Sequence, residues 1–148
     1  MGDLKLTSSA FEDGGEIPRE CGYKNGNEVP PLTINGIPEG TKSLALIMDD
    51  PDAMEPAGKV WIHWIAWNID PINTELKNSF VREGMTDFDQ AEYGGPAPPD
   101  KRHTYVFKLY ALDSKLDDLP TGSTKSDVEK AMEGHIVEQT QLTGTYAP

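Results

Sequence analysis

The sequence is short of cysteine and of positive charge. Its 148 residues include one cysteine, Cys21, and 13 Lys+Arg against 25 Asp+Glu, which gives a formal net charge of −12. A single cysteine excludes an intramolecular disulfide and fits a reducing compartment. The acidic balance argues against a nucleic-acid partner, whose phosphates it would repel, and against attachment to an anionic membrane surface through basic residues.

Long apolar runs are also missing. No stretch approaches the ~20 apolar residues of a membrane helix. Met1 to Glu20 carries charges throughout and lacks the apolar centre of a signal peptide. We therefore predict a cytoplasmic protein without stable membrane insertion. The length suits one domain, residues 1–148, with its own core. Cys21 lies in a turn-rich stretch, which predicts a free and dispensable thiol at the surface.

Short apolar segments separated by Pro and Gly turns predict a mainly β, antiparallel, sandwich-like fold with one or two short peripheral helices. Ser126 and Glu129 have capping-box spacing, which predicts a helix that runs to about Glu133 and stops at Gly134. Pro71 to Gln90 is predicted to be loop with one short helical turn. The predicted strands are Leu4–Phe11, Leu32–Ile34, Ser43–Met48, Val60–Ile69, His103–Leu112 and Ile136–Leu142.

An acidic turn precedes the most apolar of these strands. Asp49-Asp50-Pro51-Asp52-Ala53 places three carboxylates just before Val60–Ile69. Both faces of that strand are apolar, so it should be a central strand covered on both sides. A buried imidazole at His63 needs a partner, and the acidic turn is a natural source of one. Strict alternation would place His63 on one face with Trp61, Ile65 and Trp67.

A second loop-to-strand junction repeats this arrangement. The rigid loop Tyr93-Gly94-Gly95-Pro96-Ala97-Pro98-Pro99 precedes the strand His103–Leu112, in which His103 and Tyr105 share a face. Two junctions that each open with histidine and aromatic residues predict one shared pocket at one end of a sheet.

Taken together, four motifs resemble those of the phosphatidylethanolamine-binding protein family, which includes the Raf kinase inhibitor proteins. The resemblance runs from about Leu6 to Tyr146, and Gly134-His135-Ile136 with Gly144-Thr145-Tyr146 is similar to the prokaryotic branch. The motifs are the Asp-Pro-Asp-Ala turn from Asp50, Trp61-x-His63, the Gly-Gly-Pro-x-Pro-Pro loop from Gly94, and His103-x-Tyr105.

The resemblance implies a large antiparallel sheet packed on a smaller one, with a pocket for small anions and phosphorylated head groups. Gly95, with Gly94, would let the backbone approach a ligand. Met54 stands where proline often follows the Asp-Pro-Asp-Ala turn, and Thr104 replaces a common basic residue or histidine, which weakens the case for strong phosphate affinity. The family's pocket residues carry over onto Asp50, Ala53, Trp61, His63, Pro98 or Pro99, His103 and Tyr105.

The chemistry of these side chains fits such a ligand. Imidazole N–H groups and a tyrosine hydroxyl donate to phosphate oxygens, and a protonated imidazole adds positive charge. The carboxylate of Asp50 would orient a histidine and raise its pKa, or accept from a ligand ammonium.

Three other functions are weighed against this one. The resemblance also allows an inhibitor of a kinase or serine protease that acts through its surface loops, and it leaves a homodimer open. An enzyme is not expected, because no Ser or Cys lies in a recognisable nucleophile motif. A metal site of Asp50, His63 and His103 is disfavoured because H-x-x-x-H and C-x-x-C spacings are missing. No cofactor is predicted.

Overall fold

Two β-sheets and two short α-helices form the computed structural model, which describes residues 3–72, 75–76 and 82–148. The large sheet consists of β2 (Gly15–Glu16), β4 (Ser43–Asp50), β5 (Trp61–Ile69), β7 (Arg82–Glu83), β8 (His103–Leu112) and β9 (Ile136–Tyr146). The small sheet consists of β1 (Lys5–Thr7), β3 (Leu32–Asn35) and β6 (Glu75–Leu76), and the helices are α1 (Met54–Ala57) and α2 (Lys125–Met132). The strand orders are β2-β9-β8-β4-β5-β7 and β1-β3-β6. The predicted mainly β sandwich is confirmed.

Apolar side chains pack against both faces of the large sheet. Leu6 of the small sheet belongs to the same core as Trp64 and Phe107 of the large one. On the outer face, Trp67 packs in a second core with Val128 of α2. The central strand β4 contributes to both cores and is buried along its whole length. Its continuous apolar sequence is the pattern expected of a strand covered on both sides.

A β-bulge at His63 changes the predicted face assignment of β5. Met48 of β4 pairs with Trp64, whereas the next residue, Asp49, pairs with Ile62, so His63 is one extra residue in β5. An extra residue shifts the alternation of side chains along the strand. Trp64 lies in the core between the sheets while Ile65 lies in the outer core, and His63 packs on the inter-sheet side. The prediction that His63 shares a face with Ile65 and Trp67 is therefore wrong.

The capping box of α2 lies two residues earlier than predicted. The hydroxyl of Thr124 accepts from the Asp127 amide at 3.2 Å, and the Asp127 carboxylate accepts from the Thr124 amide at 3.0 Å. This pair has the same spacing as Ser126 and Glu129, and the sequence pattern alone does not distinguish the two. The predicted stop is confirmed, since α2 ends at Met132 and Gly134 adopts a left-handed φ of 78°.

Three further segments differ from prediction. The final strand continues to Tyr146, because β9 pairs along its length with β8. The first strand is limited to Lys5–Thr7. Between Pro71 and Gln90 the described residues form the short strands β6 and β7 and no helix, while 73–74 and 77–81 lie outside the described residues.

Cys21 is a core residue rather than a surface one. Its side chain is 3% exposed in the inter-sheet core, so the predicted surface position is wrong. Burial raises the pKa of the thiol to about 11, and the charges of Glu20 and Glu28 add to the shift. Cys21 is buried within an otherwise mostly exposed stretch because the Tyr93–Gly95 loop packs onto its backbone. Among the described residues, no helix is both long and apolar enough to cross a membrane.

Candidate ligand-binding site

The sheet topology brings the predicted pocket residues to one end of the large sheet. Strand β4 ends at Asp50, which pairs with Trp61 at the start of β5. The other neighbour of β4, strand β8, also runs antiparallel to it and begins at His103. Antiparallel neighbours begin where the central strand ends, so Asp50, His63, His103 and Tyr105 lie near the same end of the large sheet.

His103 is held between two carboxylates. Its Nδ1 lies 2.6 Å from Oδ2 of Asp50, and its Nε2 lies 2.7 Å from Oδ1 of Asp100, while its side chain is fully buried. Carboxylate oxygens accept, so both ring nitrogens donate and the ring is an imidazolium. Burial lowers the pKa of His103, but the hydrogen bonds and charges of Asp50 and Asp100 outweigh burial and raise the pKa above its ordinary value.

Asp50 orients a histidine, as the sequence predicted, and that histidine is His103. Its Oδ1 accepts from the Asp52 amide at 2.9 Å and its Oδ2 accepts from His103. Burial raises the pKa of Asp50, and the bond from His103 opposes this rise. Asp52 caps the start of β8 by accepting from the Thr104 amide at 2.9 Å. The carboxylates of the acidic turn are therefore committed to protein groups.

The neighbouring carboxylate faces away from this site. Oδ2 of Asp49 lies 3.1 Å from Nζ of Lys108 and 3.5 Å from Nζ of Lys125. Asp49 pairs with Val106 within the strand ladder, so it is not part of the turn. Consecutive residues of a strand point to opposite faces. Asp49 therefore joins β4 to β8 and α2 on the outer face.

His63 has a different partner from the one predicted. Its Nδ1 lies 2.7 Å from the carbonyl oxygen of Gly94, which can only accept, so Nδ1 carries the hydrogen. Burial lowers the pKa of His63 to about 4, against the opposing effect of the Gly94 carbonyl, so the ring is neutral at ordinary pH. The prediction of an acidic partner is wrong because the bulged residue contacts the Gly94–Gly95 loop, while Asp50 binds His103.

Two buried polar atoms at the site have no partner within the described part of the chain. They are Nε2 of His63 and the hydroxyl of Tyr105. The two rings are in contact, edge to face, with centroids 5.1 Å apart. Burial, followed by the charge of Asp50, raises the pKa of the Tyr105 hydroxyl, and the nearby Ala97 backbone opposes this rise without meeting hydrogen-bond geometry. The tyrosine therefore remains a neutral hydroxyl.

The glycines of the loop serve packing against protein. A Cβ on Gly95 would lie 1.9 Å from the Cys21 carbonyl oxygen, and one on Gly94 would lie 2.3 Å from the Phe88 ring. The backbone at these positions approaches the neighbouring loop and an aromatic ring, which only glycine permits. That the Gly95 backbone approaches a ligand stays a prediction.

Asn27 is a residue that the sequence did not single out. Its Nδ2 donates to the Tyr93 carbonyl at 3.0 Å and its Oδ1 accepts from the Gly95 amide at 2.6 Å. These bonds bracket Gly94, whose carbonyl accepts from His63. Asn27 adopts φ 52°, which asparagine tolerates better than most residues. The sequence indicated only a turn at Asn25-Gly26-Asn27, because the clamped residues are more than sixty positions away.

Aromatic residues border the site on one side. The ring of Phe88 lies edge-on to the rings of His63 and Trp61, with centroids 5.3 Å and 5.8 Å away. It stacks on the ring of Tyr23, with centroids 4.1 Å apart. Trp61 and Phe88 are half-buried. Phe88 lies in the segment Pro71 to Gln90, for which the sequence predicted only a loop with one short helical turn, so its contact with His63 could not be predicted.

The remaining predicted residues separate by exposure. Ala53 is buried in a short 3-10 helix, Pro51–Ala53, that packs against β8. Pro98 is buried and Pro99 is exposed. Pro98 is therefore enclosed by protein whereas Pro99 is not, and which of the two belongs to the pocket stays a prediction.

The family model for phosphatidylethanolamine-binding protein matches residues 7–147, which is nearly the whole chain. The chain belongs to the phosphatidylethanolamine-binding protein family. A UPF0098 protein of Methanothermobacter thermautotrophicus is 42% identical over 152 residues, covering 97% of this chain and 98% of that protein. The predicted resemblance, including its prokaryotic character, is confirmed.

Solved structures of other members of the phosphatidylethanolamine-binding protein family have the same fold. A homologue from Chlamydia trachomatis is 37% identical with a TM-score of 0.91, covering 97% of this chain and 96% of its own. YbcL of E. coli is 30% identical with a TM-score of 0.88 and 98% of each chain covered. A carboxypeptidase Y inhibitor, solved with its cognate proteinase, is 18% identical with a TM-score of 0.58, which shows likeness of fold alone.

Proposed function

We propose that this member of the phosphatidylethanolamine-binding protein family binds a small phosphorylated ligand, of the phosphoethanolamine type, beside His63 and Tyr105. The observation that carries the proposal is the pair of buried, unpartnered polar atoms in adjacent side chains, Nε2 of His63 and the Tyr105 hydroxyl. A buried polar group without a partner costs about 1–3 kcal/mol. A ligand hydroxyl that donates to Nε2, together with a ligand oxygen that accepts from Tyr105, would recover that cost.

The surrounding charges suit a ligand that carries an ammonium group as well as a phosphate. The imidazolium of His103 lies between Asp50 and Asp100, so this group of three has a net charge of about −1. Asp100 is 36% exposed and can accept from a ligand ammonium at the edge of the site. The half-buried Phe88 is the side chain that an entering ligand would displace.

Isothermal titration with phosphoethanolamine tests the proposal. Tyr105→Phe removes the buried hydroxyl and keeps the ring, so affinity should fall about fivefold to tenfold, the value of one hydrogen bond. Tyr110→Phe is the matched control, because Tyr110 packs against the outer core on the other face of the sheet. Equal affinity of the wild type and Tyr105→Phe, or no binding by the wild type, would reject the proposed site.

Five expectations from the sequence remain predictions. They are inhibition of a kinase or serine protease, the absence of catalysis, a homodimer, a cytoplasmic location and a single domain. An inhibitor that acts through surface loops would keep its effect in Tyr105→Phe. The two functions are therefore separable with the same variants.

A further inference from the structure

The hydrogen-bonding state of His63 restricts which oxyanions the site can accept. The Gly94 carbonyl oxygen accepts a hydrogen bond from Nδ1–H of His63, with the two heavy atoms 2.7 Å apart. Nε2 therefore carries no hydrogen and can only accept. The Gly94 amide donates to the His63 carbonyl at 2.9 Å, and Asn27 holds the residues on either side of Gly94. The tautomer is therefore fixed by backbone contacts that a small ligand does not displace.

An acceptor and a donor then stand side by side at the site. Nε2 of His63 accepts, and the neutral Tyr105 hydroxyl donates, with the two rings 5.1 Å apart. A fully deprotonated oxyanion can accept from Tyr105 but would place a bare oxygen against the lone pair of Nε2. An oxyanion that keeps one hydrogen satisfies both groups.

Local charge favours the same choice. The negative charge of Asp50 raises the pKa of Tyr105, an effect second only to burial. The negative charges of Asp49 and Asp87 raise the pKa of His63, against the larger effect of burial. A monoanion is repelled less by these carboxylates than a dianion.

We propose that the site selects phosphomonoesters in their singly protonated form, with the phosphate hydroxyl donating to Nε2 of His63 and a phosphate oxygen accepting from Tyr105. This inference rests on the proposed function and names the ionisation state and ligand class that the site takes. Sulfate esters, which carry no hydrogen on their oxygens near neutral pH, are disfavoured because they leave the acceptor unpaired.

The sharpest test compares phosphoethanolamine with ethanolamine O-sulfate. At about pH 5, below the second phosphate pKa of ~6, both carry one negative charge and one ammonium, and their hydrogen-bonding groups differ only by the hydrogen on the phosphate. We expect phosphoethanolamine to bind at least about tenfold more tightly, because the sulfate leaves a buried acceptor unpaired. Titration calorimetry of the full chain measures both affinities.

The pH dependence gives a second, independent arm. Affinity for phosphoethanolamine should fall roughly thirtyfold between about pH 5 and pH 7.5, as the ligand loses the hydrogen with a pKa near ~6. Ethanolamine sulfate senses the same protein charges, so the ratio of the two affinities isolates the ligand's own proton. The titratable groups near His63 that both ligands would sense are Asp49 and Asp50 of β4, His103 and Tyr105 of β8, and Tyr93, Asp87 and Asp100 of the adjoining loops.

A variant of His63 removes the discrimination. His63→Phe keeps an aromatic ring but has no acceptor, so it should lose the preference for phosphoethanolamine over the sulfate. His135→Phe is the control, because the exposed His135 bonds Asp113 outside the site. Nitrogen chemical shifts of wild-type His63, which should report hydrogen on Nδ1, test the same point if His63→Phe does not fold.

The outcomes separate the inference from the function on which it rests. Equal affinity for the two esters at about pH 5, or hydrogen on Nε2 in the wild type, overturns proton selection and leaves phosphate binding intact. Failure of both esters to bind at every pH overturns the proposed function and the inference together.

Discussion

His103 is a buried cation in a protein that otherwise has an excess of acids. Both of its ring nitrogens donate to carboxylates, Asp50 within the core and Asp100 at the surface. The folded state holds this proton more tightly than the unfolded chain does, since the pKa is raised on folding. The stabilisation is fully present below the ordinary histidine pKa of ~6.5 and is lost as pH rises through the folded pKa.

Asp100→Asn should flatten that pH dependence. The asparagine oxygen can still accept from Nε2, but one of the two carboxylate charges that raise the pKa of His103 is gone, while Asp50 supplies the other. Urea denaturation of both proteins at pH values above ~6.5 should show a steeper loss of unfolding free energy in the wild type. Asp113→Asn is the control, because its histidine partner is 45% exposed and such pairs contribute little. Parallel profiles for wild type and Asp100→Asn would contradict the role given to Asp100.

Among the elements, the Gly94–Gly95 loop depends on a clamp from a distant turn. Asn27 bonds both sides of Gly94, and the Tyr93 hydroxyl donates to the Cys21 carbonyl at 2.9 Å. The loop in turn orients His63 of β5. The geometry of a strand residue is therefore set by two loops rather than by its own sheet.

Asn27→Gly should loosen that loop without straining the turn. Glycine accepts the positive φ of Asn27, so the variant removes only the side-chain bonds. Exchange of the Gly94 amide hydrogen, which is bonded to His63, should speed up by about tenfold. Asn25→Ala is a suitable control, because Asn25 bonds the Tyr146 hydroxyl instead. An unchanged exchange rate at Gly94 in Asn27→Gly would show that the loop keeps its conformation without the Asn27 side chain.

The strands, and the end of the sheet at which the site lies, could be predicted because they follow from local patterns of apolar residues. Apolar runs define β4, β5 and β8, and antiparallel pairing brings their ends together. The bulge at His63 could not be predicted, since it depends on the register against Met48 and Asp49 of the partner strand. For the same reason the sequence could not tell which histidine Asp50 would bind. Asn27 and Asp100 escaped notice because each acts through contacts that the spacing does not reveal.

At the scale of the whole molecule, the net charge of −12 opposes the proposed ligand. Repulsion between distant charges is screened beyond about 10 Å at 0.1 M salt. Contacts at the site are shorter than this distance and are screened less. Salt should therefore weaken the general repulsion more than it weakens the local bonds.

Affinity for inorganic phosphate should consequently rise with salt, by about twofold to threefold between ~20 and ~200 mM sodium gluconate. Phosphoethanolamine should respond less, because its ammonium group offsets the charge of its phosphate. Calorimetry at constant pH measures both ligands. Falling affinity for inorganic phosphate would indicate that nearby cations, rather than neutral donors, dominate binding.

The three tryptophans give the molecule its own set of optical probes. Trp64 and Trp67 are fully buried in the two cores on opposite faces of the large sheet, whereas Trp61 is half-buried against Phe88 at the edge of the site. A soluble quencher should reach Trp61 first, and a ligand that moves Phe88 should alter the emission of Trp61 and leave the other two unchanged. Intrinsic fluorescence can thus distinguish occupation of the site from loosening of either core without any added label.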